Sequence, residues 1–192
     1  NNGVPMPTEE NDDVTLLTAY YVFVTGDISF LQQHIMQIDA TMLHNIHIAD
    51  PTTGIAYKGQ DTVTTYDAAS DCLHNNASTS GNMYYQGLKE ATGYRAAAYL
   101  DSLVPGNTNG TTWLSAATQI EQAMVQEYNR KGYLPIADSD AFTNCDARTI
   151  TLGEGLFYLH LIGQDATMNQ TLLQDLATQY PTDLSESIQT LT

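Results

Sequence analysis

The sequence predicts an all-α protein built from helical hairpins. Three observations lead there. Apolar residues recur at helical spacing along most of the chain, strand-like alternation is nearly missing, and glycine or proline clusters cut the periodic runs into lengths of three to six turns. The connections alternate between short and long, and short links join antiparallel neighbours.

A first helix is predicted from about Thr8 to Thr25, where Val14, Leu17, Tyr21 and Val24 form the kind of stripe a helix turns toward a core. Gly26 stops it. Asp27 caps a second helix, whose stripe is Leu31, His34, Ile35, Ile38, Met42 and Ile46 and which ends at Asp50-Pro51. A long loop is expected from about Asp50 to Asn75. A third helix runs from about Ser80 to Leu103 with Tyr84, Leu88, Ala91, Arg95 and Ala98 on one side. Pro105 to Gly110 is a turn by composition. Thr111 or Thr112 starts a fourth helix, with Trp113, Ala117, Ile120, Met124 and Tyr128 in register, and Gly132 closes it. A second long loop, about Leu134 to Ile150, contains Pro135 and Cys145. A short fifth helix holds Leu152, Leu156 and Leu159 and ends at Gly163. A sixth carries Leu172, Leu173, Leu176 and Tyr180 and is expected to stop at Pro181.

Charge and composition narrow the function classes. The 192 residues include 6 basic and 22 acidic side chains, a net charge of −16. Such a chain repels phosphate backbones and anionic lipid, which excludes nucleic acid and membrane surfaces as main partners. No run of about 18 apolar residues occurs, so no transmembrane helix is expected. Only 15% of residues are charged, below the roughly 25% of an average domain. Lys and Arg have been thinned out, while Thr, Asn, Gln and Ser fill the surface. That balance suits a secreted protein soluble at mildly acidic pH. Three sequons agree with it: Asn76-Ala77-Ser78, Asn109-Gly110-Thr111 and Asn169-Gln170-Thr171. The chain opens NNGVPMP, without Met and without a charged region leading into an apolar one. Any signal peptide is therefore expected to be removed or to lie outside this sequence. Cys72 and Cys145 either close one long-loop disulfide in an oxidising compartment or remain two buried, unpaired small residues. There is no CxxC and no Cys/His cluster, so neither a zinc nor a thioredoxin-like site is implied.

The first long loop concentrates chemistry. Asp61, Asp67 and Asp71 sit among aromatic and hydroxyl residues between Gly54 and Cys72. Carboxylates beside aromatic rings suit sugar chemistry, because rings stack on a pyranose while carboxylates move protons or hold hydroxyls. The plain alternative is that each Asp caps a turn.

In this context the motifs Asp50-Pro51-x-x-Gly54-Ile55, Thr64-Thr65-Tyr66-Asp67, Asn82-Met83-Tyr84-Tyr85-x-x-Leu88-Lys89 and Ala97-Ala98-Tyr99-Leu100 carry a resemblance. So do Gly132-Tyr133-Leu134-Pro135-Ile136-Ala137 and Glu154-Gly155-Leu156-Phe157-Tyr158, with Thr8-Glu9-Glu10 and Thr25-Gly26-Asp27-x-x-Phe30-Leu31 upstream. Together they resemble the β-xylosidases of glycoside hydrolase family 52 across about residues 6–165. Tyr66-Asp67 is also similar to the β-glucosidases of family 116. The resemblance implies a six-hairpin (α/α) toroid, with residues 1–192 forming about three of its hairpins. It further implies retaining hydrolysis of β-linked xylose- or glucose-type sugars, with Asp67 as the general acid/base. Glu154, Tyr66 and Glu10 are its substrate-binding candidates, and Glu9 is a further cleft candidate. Acids in the first turn of a helix also need no function beyond its dipole. No cofactor or metal ion is expected.

Two departures shape the expectation. A full toroid needs twelve helices and the periodicity yields about six. The family nucleophile, a glutamate in an Asn-Glu-Gly context upstream, has no counterpart here. The chain thus reads as part of a longer polypeptide whose remainder completes the ring, and a half ring leaves apolar helix faces uncovered. Met6-Pro7-Thr8-Glu9-Glu10 is also similar to the six-hairpin domain of secreted fungal glutaminase A, which implies amide hydrolysis instead. A non-catalytic carbohydrate-binding or structural helical segment is the third possibility. His44 and His47, at i and i+3 near Asp50, lack an evident third metal ligand.

Overall fold

The computed structural model describes residues 7–55, 84–134 and 156–164, together with positions 171, 174, 175, 177, 178 and 181. Five helices carry the described fold: α1 (Pro7–Thr25), α2 (Ile28–Ile48), α3 (Tyr84–Ser102), α4 (Gly110–Lys131) and α5 (Leu156–Leu161), with no strand among the described residues. The predicted starts and stops fall close to these bounds.

Local chemistry sets the first hairpin. Gly26 adopts φ 68°, which only glycine reaches without strain, and its N–H bonds Val22 O at 2.8 Å. Asp27 then uses both oxygens. Oδ1 accepts from Phe30 N at 2.9 Å to cap α2, and Oδ2 accepts from the Tyr21 hydroxyl at 3.1 Å. The pairs Tyr21–Phe30 and Asp12–Asn45 show α1 and α2 antiparallel. In the second hairpin Asp101 Oδ2 accepts from Gly110 N at 2.5 Å, Tyr94 stacks on Trp113 and Arg95 clasps Glu121, so α3 and α4 are also antiparallel.

The hairpins lie side by side. Asp39 Oδ2 accepts from Asn107 Nδ2 at 3.1 Å and Asn109 Nδ2 at 2.9 Å at one end of the seam, and Gln119 Nε2 donates to Pro51 O at 2.9 Å at the other. Hence α2 runs parallel to α4, and α1 parallel to α3. Helix α3 occupies the centre, touched by α1, α2, α4 and α5. Close approach demands small residues there. A Cβ on Gly87 would lie 2.8 Å from Ile55 Cγ1, and one on Gly93 2.7 Å from Asp12 Oδ1. Leu159 and Ile162 bury the α5 region against this core. The helical positions around Asp175 sit beside α4, where burial and then the Asp175 charge push the Tyr128 phenol up.

One expectation is corrected. The stripe Val14, Leu17, Tyr21, Val24 does not face the core: these residues are 59%, 62%, 42% and 62% exposed. The buried side of α1 is Thr8, Glu9, Asp12, Thr15, Leu16, Ala19 and Val22. Helix α1 has apolar residues on both sides, and the choice between them is made by the polar partners that α2 and α3 offer to Glu9 and Asp12. Pro181 is itself helical, and the positions on either side of it lie outside the described residues. On α2 the expected stripe holds except at His34, which is exposed.

Candidate functional site

The polar side chains that α1 turns inward meet those of α2 and α3 in one seam. Helical spacing puts Glu9 and Asp12 on one face of α1, and Gln86, Lys89 and Glu90 within little more than one turn of α3. Lys89 Nζ lies 2.6 Å from Glu9 Oε1 and 3.5 Å from Asp13 Oδ1. Asp12 Oδ1 accepts from Asn45 Nδ2 at 3.0 Å, and Oδ2 from Gln86 Nε2 at 3.1 Å. Asn11 Nδ2 closes the network on Asn45 Oδ1 at 3.2 Å.

Glu9, Asp12 and Glu90 are all buried in this seam, and the Lys89 ammonium pairs with Glu9. Burial, followed by the nearby Glu90 and Asp13 charges, holds the Asp12 carboxyl well above the usual carboxylate range; Lys89 and the Asn45 hydrogen bond oppose this. Burial, then the nearby Glu90 and Asp12, push the Tyr94 phenol up beyond any physiological titration. Gln86 Oε1 is buried without a partner among the described residues. An acid that keeps its proton needs an acceptor, and a turn of the Gln86 amide would supply one.

The seam opens at a pocket of about 250 Å³ lined by Asp13, Leu16, Leu17, Lys89 and Tyr158. Helices α1, α3 and α5 each contribute to it. Its mouth places a carboxylate and an ammonium 3.5 Å apart, with an aliphatic wall and a tyrosine ring beside them. Elsewhere Arg95 grips Glu121 through two bonds, Nε to Oε1 at 2.5 Å and Nη2 to Oε2 at 2.6 Å. That pair is a bidentate clasp between α3 and α4.

Of the residues singled out by sequence, Asp67, Tyr66, Glu154, Asn76, Asn169, Cys72 and Cys145 lie outside the described residues. Glu9 enters the seam, whereas Glu10 is exposed in the first turn of α1. Asn109 is half-buried, with its amide nitrogen on Asp39. Asp50 Oδ1 accepts from the backbone of Thr52 at 2.7 Å and of Thr53 at 3.1 Å, the turn-capping role. No group of three or more His, Cys, Asp or Glu suited to a metal ion occurs among the described residues, His44 and His47 included. Sequence reasoning passed over Asp12, Asp13, Asn45, Gln86 and Lys89. One signal was present: Lys89 is one of six basic residues in the chain and stands in an Ala/Gly-rich helix. The chain matches no family model, and no curated protein or solved structure is detectably similar to it.

Proposed function

We propose that this chain is the acid/base-bearing part of an extracellular retaining β-glycosidase acting on xylose- or glucose-type substrates. Asp67 gives its proton to the glycosidic oxygen as that bond breaks, while a carboxylate from the rest of the polypeptide forms the glycosyl-enzyme bond. Asp67 then takes a proton from the water that attacks the same carbon, and the sugar is released. The motif around Asp67 supplies this assignment. The observation that supports it is the pocket between α1, α3 and α5. Asp13, ion-paired with Lys89 at 3.5 Å, brings a half-exposed carboxylate toward a sugar hydroxyl, and Tyr158 brings a ring toward an apolar sugar face. At about 250 Å³ the pocket lies just below the roughly 300–1,000 Å³ usual for ligand sites, which suits a single sugar ring.

The test is Asp67→Asn in the complete polypeptide. Turnover of unactivated β-xylosides should vanish, and azide should restore activity on substrates with good leaving groups. Unchanged kinetics would remove Asp67 from the mechanism. The 192 residues alone should be inactive for want of a nucleophile. Ammonia release from glutamine by the complete polypeptide would favour the glutaminase alternative. One observation favours a non-catalytic role: Glu9 and Asp12 are satisfied inside the protein rather than presented to a cleft. Binding of glycans without hydrolysis would decide for that role.

A further inference from the structure

We propose that Asn109 is a site of covalent self-modification, the loss of its side-chain amide to the backbone nitrogen that follows it, and that the folded α3–α4 turn holds this reaction in check until the turn opens. Among the described residues Asn109 is the one asparagine followed by glycine. In such a pair no side chain shields the nitrogen of residue 110 from the amide carbon of residue 109. The Gly110 nitrogen attacks Asn109 Cγ, the Cγ–Nδ2 bond breaks, and Nδ2 leaves as ammonia with the proton that the Gly110 nitrogen gives up. Water, the one co-reactant, then opens the five-membered imide. Opening at Cγ leaves an aspartate at position 109, and opening at the backbone carbonyl leaves a β-linked isoaspartate.

The fold needs both members of this labile pair. A Cβ at position 110 would lie 3.0 Å from Asp101 Oδ2, the oxygen to which Gly110 N donates at 2.5 Å, so a larger residue would push that contact apart. Asn109 heads α4, yet its side chain makes no cap bond there. Its Nδ2 reaches across to α2 and donates to Asp39 Oδ2 at 2.9 Å, where Asn107 Nδ2 also donates at 3.1 Å. Separate carboxylates thus hold the two reacting groups, Asp101 the nucleophile and Asp39 the leaving amide. The backbone adds a third restraint. Ring closure needs Cβ of residue 109 and N of residue 110 eclipsed about the Cα–C bond. Asn109 instead sits at ψ −15°, with its carbonyl accepting from Thr112 N at 2.8 Å and Trp113 N at 3.1 Å. The reaction therefore waits on local opening. Its product does not return to the old contact. An aspartate at 109 cannot donate to Asp39 and meets it as a like charge, while the start of α4 favours a carboxylate. The residue is released from the tie to α2 and turns to cap α4, and the tie from Asn107 remains.

The test is peptide mapping by mass spectrometry of the 192-residue chain in mildly alkaline buffer, made in a bacterial host so that the sequon at Asn109 carries no glycan. Conversion of Asn109 to aspartate and isoaspartate should run at least ~10-fold slower in the native chain than in the same buffer with urea enough to unfold it. Asp39→Ala removes the acceptor of the leaving amide and should raise the native rate by at least ~3-fold at unchanged helix content. Asp39→Asn keeps an acceptor oxygen and should stay near the parent. Should Asp39→Ala lose its helix content, hydrogen exchange in the parent takes its place: protection of the Gly110 amide should match the slowing of Asn109 conversion within about 3-fold, because one opening admits both. Equal rates in the folded and unfolded chain would overturn the proposal. A faster rate in the fold would overturn it too, with Asp101 then acting as a base toward Gly110 N.

Discussion

Neither α1 nor α3 sorts its polar from its apolar residues, yet α3 is enclosed on every side while α1 is covered on about half its circumference. The two helices face each other across the polar seam, and each puts charged groups into it. What differs is the other side. On α3 that side holds Gly87, against Ile55 and Met124, and Arg95, which clasps Glu121 on α4; on α1 it is Leu17, Tyr21 and Val24 against water. The difference teaches that the stack is held at its centre by paired charge and close packing, while α1 leaves its Leu17, Tyr21 and Val24 side exposed.

The largest expected effect strikes the seam that the two helices share. Lys89→Met removes the ammonium that meets Glu9 and leaves the buried Glu9, Asp12 and Glu90 without it. Breaking a buried ion pair from one side costs about 3–5 kcal/mol. Urea denaturation of the variant should show that loss. A cost below about 1 kcal/mol would mean that the seam is wet and that α1 and α3 are not locked by charge.

Two adjacent residues sharpen the comparison further. Leu16 is buried against the core and Leu17 lies on the open arc. Leu16→Ala should cost about 2–4 kcal/mol through lost burial and a cavity. Leu17→Ala in the 192-residue chain should stay within about 0.5 kcal/mol. Equal costs at the two positions would show that α1 is rotated from the orientation described, and the stripe Val14, Leu17, Tyr21, Val24 would regain the core.

Much of the fold was legible in the sequence, and the reasons are local. Gly26, Gly132 and Gly163 mark helix ends because each needs a positive φ, and Asp27 marks a start because its carboxylate reaches Phe30 N. The stripes of α2 and α4 were legible because those helices have one apolar side. The orientation of α1 was not, because two apolar stripes compete and a long-range contact, Glu9 to Lys89, decides between them. The polar seam was hidden for the same reason: Asp12, Asn45 and Gln86 are far apart in sequence and carry no spacing signature. Asp67 was singled out by its motif, and its role rests on that motif.

The smallest of the expected effects concerns the proton on Asp12, and its sign follows from burial. In the unfolded chain Asp12 titrates near 3.9; in the fold, burial and the Glu90 and Asp13 charges keep its proton on to higher pH. The native state therefore binds more protons than the unfolded state over that window. Its stability is fully present below about pH 4 and is lost as pH rises through the raised Asp12 value. Glu127 slopes the other way: hydrogen bonds from Arg130, then from Lys131, lower it, and its contribution is lost as pH falls. Comparing variants at one position separates the two. Asp12→Asn keeps the shape and removes the titration, and its amide can donate to Gln86 Oε1, which is buried without a partner among the described residues. Stability measured from pH 4 to pH 8 should fall less steeply in Asp12→Asn than in the parent, with the variant gaining relative stability toward neutral pH. Parallel profiles would mean that Asp12 is ionised in the fold, and the proton-holding seam between α1 and α3 would have to be abandoned while the packing comparison between them stood.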